Sequence, residues 1–352
     1  MGIFSGKIRG HHDYDPALIT KWFIPKQKPY GNDYNGLGET VKRRPGPLMH
    51  GPDNHPWKGM MVWLLIKGKV PNPPIWFVEV RGMIRDKFGH KPIAPAKAKG
   101  TAEEFKKGLE EFAEAHPFIH QMGVTRMKES YMFAGQNDLS KEYPWVISVA
   151  QRMEYDVLVK NLEGEFKRSG AIIHKGYEET HVGAVDVANW IRAKGYKAKG
   201  YGGTSIIKGE WHTMIPPAID GGIGQLAKNG SMISDKLGSA FRLSTTLTDM
   251  PLITDEPREI GVDEFCMSCK KCHTDCPPGA IGNEKQMVRG VEKWYVDFDV
   301  CMPYMLEQNG CAICVSTCPW SRPGVAPGLS KKMLKKMAAA NKKTDEGPAT
   351  TA

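Results

Sequence analysis

The stretch "FCMSCKKCHTDCPPGAI", residues 265–281, sets four cysteines at C-x2-C-x2-C-x3-C-P spacing: Cys266, Cys269, Cys272 and Cys276, closed by Pro277. A second run, "CAICVSTCPW" (311–320), brings Cys311, Cys314 and Cys318, closed by Pro319, with Cys301 upstream of it. These are all eight cysteines of the chain, gathered in one short segment. Disulfide frameworks spread through small secreted chains instead, so the pattern points to metal. Thiolates hold iron–sulfur clusters four at a time, and in bacterial two-cluster ferredoxins the fourth cysteine of a run ligates the other cluster. Eight thiolates then make two 4Fe–4S sites with none left over. Cluster one takes Cys266, Cys269, Cys272 and Cys318; cluster two takes Cys276, Cys301, Cys311 and Cys314. Cys301 departs most from the pattern, because a long gap separates it from Cys311. Zinc is the competing reading, but it favours paired C-x2-C knuckles with longer gaps. Two clusters carry single electrons; the motif leaves open what they reduce.

The remainder of the chain is large enough to hold a destination for those electrons. Its 352 residues are 41% hydrophobic and 25% charged, an ordinary globular mix. The longest apolar run, "MMVWLLI" (60–66), is too short to span a bilayer. The opening "MGIFSGKIRGHHDYD" has no apolar h-region and no twin-arginine pair. A cytoplasmic location is expected, with a mature chain already exported to the outer face of the membrane as the alternative. The net charge is +9. Such a charge suits nucleic acid, anionic lipid or an acidic electron carrier. Six of the lysines sit in "KKMLKKMAAANKK" (331–343), so solubility plus a basic tail is the first reading and an acidic redox partner the second. No nucleic-acid partner is expected, and a homodimer is left open.

Along the chain, residues 1–115 read as a loop-rich N-terminal region and lid, 116–255 as the core, 256–325 as the cysteine module, and 326–352 as a basic, partly disordered tail. "TAEEFKKGLEEFAEAHP" predicts a helix, with Thr101 and Glu104 forming a capping box and Phe105, Leu109 and Phe112 on one face. "YPWVISVAQ" (143–151) predicts a buried strand. "EYDVLVKNLEGEFKRSG" predicts a helix ending at Gly170, "AIIH" a short strand, and "HVGAVDVANWIRAKG" a second helix. "IPPAIDGGIGQLAKNG" predicts a third, stopping at Asn229–Gly230. Strands alternating with helices mean an α/β or α+β core.

Upstream of the first cysteine run stands "LTDMPLITDEPREIGVDEFCMSCKKCHTDCP". This text, with "IPPAIDGGIGQLAKNGSMIS" and "WVISVAQRMEYDVL" in the same order, resembles corrinoid-dependent reductive dehalogenases from about residue 120 to 320. More distantly the chain resembles epoxyqueuosine reductase, a tRNA-modifying relative. The resemblance implies an α+β fold: a nitroreductase-like cobalamin-binding core with a C-terminal bacterial-ferredoxin-like module of two 4Fe–4S clusters. It also implies a base-off cobalamin. No D-x-H-x-x-G is present to bring a histidine to cobalt. Gly203, Ile215, Pro216, Gly222, Gly224 and Asn229 are the positions it marks as corrinoid contacts. "GGIGQLA" (221–227) also fits a dinucleotide-binding G-x-G-x-x-A, but no strand runs into it and two prolines stand against one. Close approach to a flat macrocycle, or helix packing, accounts better for the glycines.

The resemblance carries two catalytic roles over. Tyr177 in "HKGYEETHVGAVDVANW" matches the family's proton-donating tyrosine, and Arg242 in "GSAFRLSTTLTDMP" the basic residue beside it. Replacing carbon–halogen by carbon–hydrogen takes two electrons and one proton. A phenol is a weak acid at neutral pH unless a cation stabilises its anion, and arginine is always charged. Packing for the tyrosine and a surface ion pair for the arginine are the bland readings. The segment "GYGGTSIIKGEWHTMIPP" departs from the family. His212 there is either a substrate anchor or a plain loop histidine, the second being favoured. His11 and His12 read as solvated residues near the N-terminus. The implied substrate is an organohalide. The implied electron donor is a ferredoxin, a flavodoxin or a membrane-linked reductase. Against epoxyqueuosine reductase, that family resembles an aspartate where Tyr177 stands, and it carries a long helical extension after the clusters.

Overall fold

The computed structural model describes residues 6–23, 35–47, 73–202 and 209–345. Gly203, Trp57, Trp63, the 60–66 run and the last seven residues of the chain lie outside them. At its centre is a four-stranded antiparallel sheet, ordered β3–β4–β8–β5. Here β3 is Gln121–Arg126, β4 Trp145–Arg152, β5 Ala198–Tyr201 and β8 Phe241–Thr248. Two hairpins complete the numbering before and between them: β1 (Lys7–Gly10) with β2 (Asp13–Asp15), and β6 (Gln225–Leu226) with β7 (Met232–Ile233). The strand expected over 143–151 is β4, and its central residues are buried.

The helices are numbered in the same way: α1 Leu18–Phe23, α2 Pro73–Phe88, α3 Ala102–Ala115 and α4 Phe166–Arg192. Thr101 and Glu104 do form the capping box of α3, which buries Phe105 and Leu109. Those side chains meet Ile147, Val149, Val187, Ala188 and Ile191 in the largest core. Between sheet and helix, Thr246 Oγ1 donates to the Ala184 carbonyl at 2.7 Å.

Helix α4 corrects the sequence reading. The expected helix to Gly170, strand "AIIH" and later helix are one 27-residue helix, preceded by a turn of helix at Tyr155–Leu158. A tetrapeptide is too short to show a period. In the longer frame Gly170, Ile173, Gly176, Thr180, Ala184, Val187 and Ile191 make one buried stripe. Gly170 is not a stop: the Asn309 carbonyl passes where its Cβ would be. The third expected helix is also shorter. Only Ile215–Asp220 (α5) is helical. The chain then turns at Gly222, in the left-handed region at φ 72°, and Asn229–Gly230 lies in the turn between β6 and β7.

Gly200 shows how closely α4 lies on the sheet. A Cβ there would stand 2.6 Å from the carbonyl carbon of Ala184 and the amide of Val185. Gly200→Ala is therefore expected to lower stability by about 1–3 kcal/mol through overpacking. The check is a urea unfolding curve, whose midpoint should fall at unchanged slope; an unmoved midpoint would show that helix and strand can part there.

The cysteine segment folds onto this core. Helix α6 (Val262–Ser268) carries Cys266, α7 (Phe298–Glu307) carries Cys301, and short helical turns at Lys271–Thr274 and Ile313–Ser316 carry Cys272 and Cys314. Strands β9 (Gln286–Val288) and β10 (Val291–Lys293) form a hairpin between them. The basic segment begins as a helix, α8 (Ala326–Asp345), which buries Met333 against Cys266, Cys318 and Trp320 in one apolar cluster. The N-terminus also belongs to this end of the molecule. Glu307 accepts from the Gly6 and Ala17 amides and from Thr20 Oγ1, at 2.7, 2.9 and 2.6 Å. His11 is exposed, as expected, and His12 is half-buried; their Nε2 atoms hydrogen-bond the carbonyls of Thr274 and His273. Among the described residues no helix is long and apolar enough to cross a membrane.

Candidate active site and cluster sites

The cysteine thiols fall into two sets. Burial, reinforced by the Cys266, Cys272 and Cys269 thiols, pushes the Cys318 thiol up to about 12. Cys272 is likewise pushed up to about 12, by burial and then by Cys266 and Cys269. In the other set, Cys314 is raised well above the usual thiol range by burial, then by Cys311, Cys301 and Cys276. Cys301 is raised by burial, then by Cys311 and Cys276. Cys314 also senses Cys272, so the two sets are neighbours. Thiols raised this far are protonated at neutral pH; loading metal on them must expel protons.

The first set lines one small, open hollow, shared with Ala227, Lys228, Asn229 and Phe265. Among the described residues no three histidine, cysteine or carboxylate side chains converge as on a single ion. Tetrahedral zinc needs its thiolates about 2.3 Å from one point, whereas a four-iron cube needs thiolates spread around a space. Four thiols on one wall are the donor set that a four-iron cube takes. The second set packs with Ala280, Ile281, Val296 and Val300.

The core is tied to the second set and the turn after it through backbone carbonyls. Asn161 Nδ2 donates to the Cys311 carbonyl at 2.7 Å, and Asn229 Nδ2 to the Cys314 carbonyl at 3.2 Å. Tyr155 Oη donates to the Ser316 carbonyl at 3.0 Å.

Tyr177 and Arg242 are brought together from different elements. Tyr177 lies on α4 and Arg242 on β8, opposite Gln151 of β4. The Arg242 guanidinium carbon stands 4.7 Å from the centroid of the Tyr177 ring. Gly176 makes this approach feasible: a Cβ there would lie 3.0 Å from Arg242 Cγ and 3.3 Å from Gln151 Oε1. Tyr177 packs on the cluster of Met153, Leu158, Ile173, Ala240 and Val315, which Cys314 also joins. The phenol and the second thiol set thus share one apolar wall. Gln151 Nε2 donates to Glu179, whose carboxyl is raised by burial. Arg242 Nε and Gln151 Oε1 are buried without a hydrogen-bond partner among the described residues. An orphan donor and an orphan acceptor beside one glycine fit a ligand fringed with amides, as a corrinoid is.

The described positions among those marked as corrinoid contacts have the following surroundings. Gly222 and Gly224 are held by protein packing, against the Glu256 and Ile233 carbonyls. Ile215 packs with Ala218, Ile223 and Phe241, Pro216 is exposed, and Asn229 borders the cluster-one hollow. His212 is a core residue: fully buried, it shares hydrogen bonds with Thr245 Oγ1 at 2.7 Å and the Glu210 carbonyl at 3.0 Å. Burial lowers its pKa. Sequence reasoning missed Lys228, a lysine at the wall of the cluster-one hollow, because "QLAKNG" reads as the last turn of a helix, where a lysine is commonplace.

No family model matches the chain. The tetrachloroethene reductive dehalogenase of Desulfitobacterium hafniense is 32% identical over 167 residues, 44% of this chain and 29% of that protein. The chain resembles the reductive dehalogenases. A solved reductive dehalogenase, described with a mechanism for B12-dependent dehalogenation, superposes over 94% of this chain and 48% of its own, with TM-score 0.67 and 18% identity. At that identity the likeness concerns the fold, a mixed α+β one. The epoxyqueuosine reductase of Atelocyanobacterium thalassa is 28% identical over 152 residues, 38% of this chain and 44% of that protein. The chain matches under a third of the length of the curated dehalogenase and about half of the solved one.

Proposed function

We propose that the chain is a corrinoid-dependent reductive dehalogenase, with a nitroreductase-like core and a ferredoxin-like module of two 4Fe–4S clusters. The observation that carries this is the Arg242 guanidinium over the Tyr177 ring, on the apolar wall that Cys314 shares. The reaction takes an organohalide, two electrons and one proton to the hydrocarbon and halide. Cobalamin, when bound, supplies the low-potential reductant for the carbon–halogen bond. The chain's own residues do the rest. Cys266, Cys269, Cys272 and Cys318 hold one cluster; Cys276, Cys301, Cys311 and Cys314 hold the other. Tyr177 delivers the proton from its hydroxyl, and Arg242 stabilises the phenolate left behind. A ferredoxin, a flavodoxin or a membrane-linked reductase replenishes the electrons; the lysines of α8, packed beside Cys266 and Cys318, suit an acidic carrier.

The test is anaerobic reconstitution of the chain with iron, sulfide and cobalamin, then halide release from chlorinated ethenes and halogenated aromatics under a low-potential reductant. Halide is expected in proportion to loaded corrinoid. A fully loaded protein that releases none from any class would end the reading. The similarity to epoxyqueuosine reductases, with the net charge of +9, supports a second reading on tRNA. Reduction of an epoxyqueuosine-bearing stem-loop by the same preparation would favour it; Tyr177 in place of an aspartate argues against it.

A further inference from the structure

Lys228 is among the most deeply buried large side chains of the protein, with 1% of its surface exposed. It sits in the turn between β6 and β7 and lines the hollow walled by Cys266, Cys269, Cys272 and Cys318. Its Nζ donates to the Cys269 carbonyl at 2.7 Å and to Asn283 Oδ1 at 3.5 Å. The ammonium stands 4.8 Å from the centroid of the Trp294 ring. Among the described residues no carboxylate pairs with it; Asp263, which meets the same Trp294, is engaged by Lys285 Nζ at 2.7 Å and Trp294 Nε1 at 2.9 Å.

A buried cation without a counter-charge costs several kcal/mol. Backbone carbonyl, amide oxygen and indole face reduce that cost but bring no negative charge. The group that does is a cluster on the four thiols that line the same hollow. Four thiolates around a [4Fe–4S]²⁺ core sum to two negative charges, and one-electron reduction makes three. A fixed cation at the wall of that site favours the more negative, reduced state, because cluster potentials follow local charge and burial.

We propose that Lys228 is the fixed counter-charge of cluster one and raises that cluster's reduction potential. The inference rests on the two-cluster part of the proposed function and is independent of the substrate. Lys228 acts through the cluster: it is a tuning residue, and its readout is a potential rather than a rate.

The experiment is an EPR-monitored redox titration of the reconstituted full chain beside Lys228→Gln, Lys228→Met and Lys228→Arg. The unsubstituted chain should take up about eight irons and show two one-electron couples. Failure at that step sinks the two-cluster reading itself, before Lys228 is at issue. In both neutral variants one couple should move to lower potential by at least a tenfold change in its reduction equilibrium, about 59 mV for one electron. The other couple should stay in place, and Lys228→Arg should return the moved one towards its original value. Neutral variants with unmoved couples overturn the proposal, as does an arginine variant shifted as far as they are. If the neutral variants assemble only one cluster while Lys228→Arg assembles both, the charge is needed already at assembly, which supports the proposal. If all three variants fail alike, shape rather than charge governs the site and the proposal falls.

Discussion

Tyr177→Phe is expected to lower kcat for halide release by roughly 10²–10⁴-fold, the range lost with a positioned proton donor. The substitution isolates the chemistry. The ring stays on Met153, Leu158, Ile173, Ala240 and Val315, and Arg242 keeps a π face to stack on. Thermal stability and cluster content should therefore match the parent chain. A group needed only as the proton moves lowers kcat and kcat/KM together and leaves KM unchanged. Arg242→Lys separates charge from geometry: an ammonium keeps the charge but not the planar stack, so it should be impaired less than Arg242→Gln. A Tyr177→Phe protein that turns over at the parent rate would move the proton donor elsewhere and reduce the Tyr177–Arg242 stack to packing.

How much of this was legible in the sequence depended on the length over which each signal acts. The capping box of α3 is written within four residues, and the structure forms it as read. Strand β4 is a continuous apolar run bounded by a proline, and it too was legible. The 171–174 segment was misread because its period is that of a 27-residue helix, and because Gly170 looked like a stop; Gly176 lies in the same helix. Both are contact glycines whose neighbours, Asn309 and Arg242, come from distant parts of the chain. The same holds for Gly222 and Gly224, which a local pattern could assign equally to a nucleotide, a macrocycle or packing. The N-terminal residues read as loop because their partners, Glu307 and His273, lie far away in sequence. Lys228 is the extreme case. A single lysine between an alanine and an asparagine carries no local mark of burial, and only the fold places it against the Cys269 carbonyl.

The largest expected effect belongs to Cys318→Ala. By sequence Cys318 closes the second run, beside Cys311 and Cys314. In space its thiol answers to Cys266, Cys272 and Cys269. Removing it should disrupt cluster one and spare cluster two, so bound iron should fall from about eight towards about four, or about seven if a three-iron remnant persists. The couple lost should be the one lost in Cys269→Ala, whereas Cys276→Ala should lose the same couple as Cys311→Ala. That exchange between the runs is what spacing alone cannot prove, because a contiguous assignment predicts the opposite pairing. Halide release should fall to the limit of detection in all four variants, since a broken relay delivers no second electron. The fold should suffer as well. Cys318 lies in one apolar cluster with Trp320, Val262 and Met333, and a metal-loaded site binds folding free energy to itself. Iron content and the identity of the surviving EPR couple decide the matter: a Cys318→Ala protein that keeps the Cys269 couple and loses that of Cys311 would show that each run holds its own cluster.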